Sequence, residues 1–545
     1  MESIPPQMTD NTAGWPPGTV TLEEFRHNTE GAVEGVVIIQ VPTPTSDVND
    51  PLNWKQSEKY LNFGLTLLYS AIVFALISAI TPTWAPMNAE LGFSFKVLND
   101  SYATGSAMLA VGALIFIPFA LKYGRRPIYL LSLLGQFVVA IWGANIKTTA
   151  DLFAVQVFNC LLGALAEVIV QMTVADVFYV HERGVVTSLY VCVMSVSTSL
   201  AALFAGYITV GQGWRWTWWW VAIFIGTCLL LFTFLYEETK FVAHIDGVSG
   251  IETFPHTSKN QHNKADDDKP VGTQLQPTVS VITTHSPPRK TYMQRLRLLS
   301  TSNGSLKKLA LHSYQPLFVM CTIPAVFYVA LLYGLVTAAL QVSVTLIATY
   351  MPAPPYNFNP AQVGLMGLPG LIGNLLGTIA GAPFTDRIIL FLARKNSGIY
   401  EPEMRLWLLL AFSPLFPAGL ILFGYALGQG MSWPIVAVGS GLYSFAMTPI
   451  ASVALSYLTD AYTDIIADAV VGITFLRNVL ATTFVFALTP WVARVGLQNV
   501  MLTFAMITFV VLSGGTVAIV IYGKQLRRST AGLYRSYAKR QFDTR

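Results

Sequence analysis

The chain has 545 residues, of which 53% are hydrophobic and only 11% charged, with a formal net charge of +4 and a mean hydropathy of +0.53. Soluble domains carry roughly 25% charged residues, so a string of ordinary soluble domains is excluded. The small positive excess suits loops attracted to anionic lipid rather than a nucleic-acid-binding surface.

Residues 1–58 are polar and contain several prolines, with no cleavable signal peptide, and are expected to form a disordered cytosolic tail. The first long apolar run begins near Tyr60. From there the charged residues act as punctuation. Charge-free gaps run from Lys59 to Glu90, Asp100 to Lys122, Arg126 to Lys147, Arg183 to Arg215, Arg215 to Glu237 and Arg494 to Lys524. Each holds the ~20 apolar residues that cross about 30 Å of hydrocarbon. Two longer gaps, Lys308 to Asp386 and Arg405 to Asp460, each hold two crossings, broken by "MPAPPYNFNP" (351–360) and "GQGMSWP" (428–434). Crossings around Glu167 and Arg477 complete an all-α membrane protein of twelve helices in two bundles of six.

The expected crossings are 60–82, 101–121, 127–146, 152–176, 185–209 and 216–236, then 318–350, 361–385, 404–427, 432–458, 468–490 and 497–522. They divide the chain into a first bundle (59–237), a polar cytosolic linker (238–316), a second bundle (317–523) and a cytosolic tail (524–545). The end of the linker, near 291–311, reads as a basic amphipathic helix on the inner leaflet. With the N-terminus inside, the inner segments carry 28 of the 33 Lys and Arg and the outer loops four. That asymmetry puts both termini in the cytosol, with the plasma membrane as the expected location and the vacuolar membrane as the alternative. The sequon at Asn303 then stays unglycosylated.

All four cysteines fall in apolar spans, which argues against a disulfide framework, and all seven histidines fall outside the spans, which argues against an intramembrane metal site. No cofactor is expected. The sequence shows no HExxH, GxSxG or GxxxxGK[ST] pattern, so neither an enzyme nor a nucleotide-driven pump is expected.

The candidate site begins with Glu167, the only charge between Asp151 and Asp176. A charge at a helix centre costs about 3 kcal/mol on insertion scales. Its cheaper states are a protonated acid or an ion facing a wet cavity, and exchange between those states is what proton coupling requires. The alternative is a structural glutamate hydrogen-bonded to a neighbouring helix. Arg477, with Asn478, lies a third of the way into the eleventh crossing, where it either holds a carboxylate across the two halves or snorkels to the inner surface. Tyr69, Gln171, Gln341, Asn374 and Tyr443 are further polar candidates, each of which also suits a packing hydrogen bond. Asp176, Arg183, Asp386 and Asp460 cluster at inner helix ends and read as gate or loop-pinning charges. Gly105 and Gly112, and Gly364, Gly367, Gly370, Gly373 and Gly377, form small-residue stripes suited to close packing or to a sliding seam. The tryptophans of "WRWTWWW" (214–220) suit an interfacial belt.

The halves echo each other. "TVADVFYVHERGVV" ends the fourth crossing and "YLTDAYTDIIADAVV" the tenth, each with an Asp followed two residues on by an aromatic; "LKYGRRP" follows the second crossing and "GAPFTDR" the eighth. Together with "VPTPTSDVNDPLNW", "ADVFYVHERG", "GWRWTWWW", "EETKF", "GIYEPEMRLW" and "FLRN", these features resemble the major facilitator superfamily over about 50–525. The resemblance is to the fungal branch of twelve-helix drug:proton antiporter-like carriers, which includes polyamine and histidinol-type carriers. It implies alternating access by two rocking bundles driven by a proton gradient, with the fourth helix lining a central cavity. It assigns Lys122, Gly124, Arg125 and Arg126, and Asp386 and Arg387, to the family's loop motif. Leu121 stands where that motif usually carries Asp, which implies a weakened or rewired ion pair in the first half. Ala201–Ala202 stand where exporters of the group often carry Gly-Pro.

The expected function is proton-coupled export of a small organic compound, with proton-coupled uptake of a cationic nutrient such as a polyamine as the alternative. The expected partners are that small molecule, a proton and the lipid bilayer, with the chain a monomer.

Overall fold

The computed structural model describes residues 16, 18–21, 49–178, 180–240, 291–296, 306–396 and 399–542. Among them, twelve helices are long and apolar enough to cross a membrane, and the chain is an integral multi-pass membrane protein. The first bundle holds α1 (Gln56–Leu91), α2 (Phe95–Ala120), α3 (Arg126–Ala144), α4 (Thr149–Val174), α5 (Leu189–Gln212) and α6 (Trp214–Leu235). The second holds α7 (Pro324–Tyr350), α8 (Pro360–Gly381), α9 (Pro402–Gly428), α10 (Trp433–Ala461), α11 (Asp468–Val495) and α12 (Leu497–Ala538). Such a number of crossings leaves both termini and the inter-bundle segment on one side, the terminal face. The opposite side is the far face.

Local chemistry sets the helix ends. Ser94 caps α2 by accepting from the amide of Val97. Thr148 and Asp151 form a reciprocal capping box at α4, and Asn359 and Gln362 do the same at α8. The turns α5–α6 and α11–α12 each pivot on one left-handed glycine, Gly213 (φ 93°) and Gly496 (φ 82°), so the two bundles make this corner the same way. The seventh crossing starts at Pro324 rather than 318. The residue before a proline is pushed out of helical geometry, and Ile323 takes φ −106° and ψ 106°, separating α7 from a preceding helix at Leu306–Thr322. Part of the expected amphipathic segment appears as a short turn of helix at Tyr292–Arg295. Asn303 lies outside the described residues.

Each bundle has its own apolar core. One gathers Tyr69, Trp84, Tyr129, Ile169 and Trp218; the other gathers Val329, Phe416, Tyr443, Ile450 and Phe504. The glycine stripes work mainly inside the bundles. A side chain at Gly112 would meet the Leu161 carbonyl of α4 at 2.3 Å, and one at Gly373 would meet the Gly441 carbonyl of α10 at 2.2 Å. Only the start of the second stripe reaches across: a Cβ at Gly364 of α8 would lie 2.5 Å from the Ala202 carbonyl of α5. Gly206 of α5 returns the contact, 2.4 Å from the Pro360 carbonyl.

The N-terminal tail carries ordered pieces. Val20–Thr21 (β1) pairs antiparallel with Ile399–Tyr400 (β2), Val20 opposite Tyr400 and Thr21 opposite Ile399. Pro51–Asn53 form a single helical turn capped by Asp50, whose carboxylate accepts from Leu52 N–H at 3.0 Å.

Candidate functional site

The fourth crossing is built from two helical pieces, Thr149–Gly163 and Leu165–Val177, meeting at Ala164. Tyr190 of α5 donates its hydroxyl to the Ala166 carbonyl at 2.7 Å, fixing the start of the second piece. Glu167 stands in its first turn. Its carboxylate crosses the seam between the bundles: one oxygen pairs with the Arg477 guanidinium, and the other accepts from Asn478 Nδ2 at 3.2 Å. Both partners sit on α11, nine and ten residues in from its terminal-face end, or ~14 Å at 1.5 Å per residue. The Glu167 side chain is 8% exposed and that of Arg477 18%. A desolvated charge pair therefore joins the two bundles, partway into the membrane from the terminal face. The alternative in which Arg477 snorkels outward does not describe this arrangement.

Toward the far face the seam is polar but uncharged. Ser106 of α2 donates to Gln341 of α7 at 3.0 Å, and Asn99 of α2 donates to the Val485 carbonyl of α11 at 3.0 Å and to Thr489 Oγ1 at 3.3 Å. With Gly206 against Pro360 and Gly364 against Ala202, the backbones of α5 and α8 also touch across the far-face side of the seam. Nearer the terminal face, Val471 of α11 shares an apolar cluster with Leu109, Ala113 and Ile117 of α2.

Other candidates lie elsewhere. Tyr69 is fully buried in the first bundle and hydrogen-bonds Ser132 at 2.7 Å. Tyr443 packs between the Phe416 and Phe423 rings of α9, and Asn374 of α8 accepts from Thr448 of α10 at 3.1 Å. All of these contacts are made within one bundle. The side chains of Gln171, Arg183 and Asp386 lie outside the described residues, and Arg387 is exposed.

On the terminal face each bundle carries an ion-pair cluster. In the first, the Arg125 guanidinium meets Asp176 at 2.9 Å and donates to the Ala120 carbonyl at 3.1 Å. Glu238, just beyond α6, accepts from the backbone N–H of Arg125 at 2.9 Å and of Arg126 at 3.1 Å, placing an anion at the N-terminus of α3. Gly124 turns at φ 107°, a conformation that favours glycine, with its open side facing the Glu238 carboxylate. Arg126 donates to the Thr233 carbonyl at 2.7 Å. Lys240 donates to the Lys122 carbonyl at 2.8 Å. Its ammonium is pulled down to about 8, chiefly by burial and then by the Arg125 charge, against the opposing pull of Glu238 and Asp176. In the second bundle Asp460 meets Arg405 Nε at 2.6 Å and accepts from the Tyr400 hydroxyl, while the fully buried Arg527 clasps Glu403 at 2.7 and 2.8 Å.

Thus Asp176 and Asp460, alike in the sequence echo, each hold an arginine at the start of the crossing immediately before their own. Glu238, Lys240, Arg405, Tyr400, Glu403, Arg527 and Ser106 are functional candidates beyond those read from sequence. Several stand in "EETKF" and "GIYEPEMRLW", so the signal was present as a motif without a partner.

Comparison with known proteins agrees with this architecture. An uncharacterized MFS-type transporter of Schizosaccharomyces pombe is 31% identical over 96% of this chain and 94% of its own. Protein HOL1 of Saccharomyces cerevisiae is 28% identical over 95% and 96%. The chain resembles a crystal structure of the peptide transporter POT in complex with sulfate at a TM-score of 0.58 and 13% identity, covering 93% of this chain and 99% of that one. It resembles the human organic anion transporter MFSD10 at 0.52 and 14% identity, over 83% and 99%; at such identity these two likenesses speak for the fold. The family profile of the Major Facilitator Superfamily matches residues 66–476, and the chain belongs to that family of membrane transporters.

Proposed function

We propose that the chain is a proton-coupled exporter of a small organic compound, with its terminal face in the cytosol and Glu167 as the coupling acid. One observation carries the reading: the carboxylate of Glu167 is the anionic side of a charge pair bridging the two bundles. In a carrier that works by rocking two bundles, such a bond belongs to one state and must break in the other. A proton arriving on Glu167 removes the charge that holds Arg477. Losing one partner of a buried pair costs about 3–5 kcal/mol, and 1.4 kcal/mol is tenfold in an equilibrium. Protonation therefore shifts the balance between joined and parted bundles by on the order of a hundredfold or more. Asn478 remains to orient the neutral acid, and loss of the proton lets the pair re-form.

A second reading rests on the same carboxylate. A substrate ammonium could take the place of Arg477, making the chain an uptake carrier for a cationic nutrient such as a polyamine. Reconstituted vesicles with an imposed pH gradient separate the two, with rhodamine 6G and labelled spermidine as probes. The export reading expects rhodamine 6G to move from the terminal-face side toward the acidic side. It also expects Glu167→Gln to abolish the part of that flux driven by the gradient. Gradient-driven flux that survives Glu167→Gln removes Glu167 as the coupling residue, and inward spermidine flux moving with protons favours uptake.

A further inference from the structure

The two terminal-face clusters are backed differently. In the first bundle, the chain leaving α6 folds directly onto the Arg125–Asp176 pair through Glu238 and Lys240. In the second bundle the backing arrives from the far end of the sequence. Gly18, at φ 82°, sits against the Asp460 backbone so closely that a Cβ would lie 2.4 Å from its carbonyl oxygen and 2.8 Å from Ala461 Cα. Thr19 Oγ1 accepts from Arg527 Nη1 at 3.1 Å. Val20 pairs with Tyr400, whose hydroxyl joins the Asp460–Arg405 pair. Three successive residues of the tail thus touch Asp460, the Arg527–Glu403 clasp and Tyr400. Farther along, Pro51–Asn53 pack on the terminal-face end of the fourth crossing, in the other bundle.

We propose that the extended Ile399–Tyr400 segment, the Asp460 carbonyl and Arg527 form a docking site whose occupant is this chain's own residues 18–21, and that the docked residues are a strap stiffening the second bundle's terminal-face cluster. The chemistry fits a short extended peptide. An extended segment with unpaired backbone groups offers hydrogen bonds for affinity, and alternate side-chain positions give specificity. Here glycine is required at the first contact by its positive φ and the carbonyl against it, and a hydroxyl is used at the second. A ladder of this length is marginal alone, so the strap is suited to dock and release while the helices remain folded. The loop between α8 and α9, which carries Tyr400 into the Asp460–Arg405 cluster, is the element whose freedom it sets.

Hydrogen exchange on the purified full chain in detergent micelles tests this without knowledge of the transported compound. In Gly18→Val, and in a chain lacking residues 1–21, the amides of 399–405 should exchange about tenfold faster or more, while those of 124–126 in the first bundle keep their protection. A synthetic peptide of residues 14–23 should restore protection to the shortened chain, and the same peptide carrying Gly18→Val should not. Unchanged exchange at 399–405 in both variants overturns the proposal. So does an equal rise in both bundles, which would mark general destabilisation, and so does a wild-type peptide that restores nothing. Failure of the proton-coupling reading would leave each of these outcomes as it stands.

Discussion

Glu238 sets a carboxylate beside the turn in which Leu121 stands where the family's loop motif usually carries Asp. It lies 113 residues beyond Arg125 and accepts from that residue's backbone N–H at the N-terminus of α3, while Asp176 takes the Arg125 guanidinium. Lys240 follows from the same packing. An ordinary lysine binds its proton up to about 10.4, whereas in the folded chain burial and the neighbouring Arg125 pull this one down to about 8. Between those values the unfolded chain holds more protons than the folded one, so stability contributed through this group rises with pH across that window. Lys240→Met removes the buried cation, and the hydrogen bond to Lys122 with it. The melting temperature of the variant relative to wild type should therefore fall as pH is raised from 7.5 to about 9.5. A difference that is flat in pH would show that Lys240 keeps its ordinary proton affinity when folded. At this scale the sequence is legible where a charge interrupts an apolar run. Glu167 and Arg477 stand out for that reason and are found together, with Asn478 beside them. Glu238, Arg405 and Arg527 do not stand out, because acids and bases at helix ends are ordinary in loops and only the fold reveals their partners.

Among the elements, the hydropathy pattern fixes the crossings because the bilayer imposes their length, while the caps at Ser94, Thr148 and Asn359, which hydropathy does not register, set where α2, α4 and α8 begin. The helix that a small-residue stripe faces is less legible, since spacing alone shows a common face and leaves its neighbour unspecified. Most of the second stripe packs α8 against α10 inside one bundle, and only its first residues meet α5 across the seam. This division predicts different phenotypes from similar changes. Gly373→Leu must push α8 from the Gly441 carbonyl, an overpacking cost of about 1–3 kcal/mol, and should lower the melting temperature. Gly364→Ala strains only the far-face contact against Ala202, so it should leave the melting temperature near wild type while opening α5 to a thiol reagent at Leu203→Cys. If Gly364→Ala proves the more destabilising of the two, the seam is part of the folding core rather than a moving contact.

For the whole molecule, two apolar cores meet along a seam that mixes a charge pair and side-chain hydrogen bonds with apolar contacts such as Val471 against Leu109 and Ala113, an arrangement that suits rigid bundles moving against each other, since packed cores resist deformation while hydrogen-bonded contacts exchange partners. This can be tested by locking contacts that are alike in chemistry but differ in whether they cross the seam. Ser106 and Gln341 meet across it at 3.0 Å; Asn374 and Thr448 meet within the second bundle at 3.1 Å. In a background with the exposed Cys192 and Cys321 replaced by serine, Ser106→Cys with Gln341→Cys should accept a short bifunctional thiol reagent with a cleavable disulfide arm and lose gradient-driven flux, which a reductant restores. Asn374→Cys with Thr448→Cys should accept the same reagent and keep its flux, because no relative movement is asked of α8 and α10. Full flux through the first cross-linked protein would mean that α2 and α7 never part during the cycle, and the bundles would then have to move by bending their helices rather than by rocking. Loss of flux in both would place the moving boundary inside the second bundle, where the Asn374–Thr448 bond and the stripe at Gly370, Gly373 and Gly377 would become the seam.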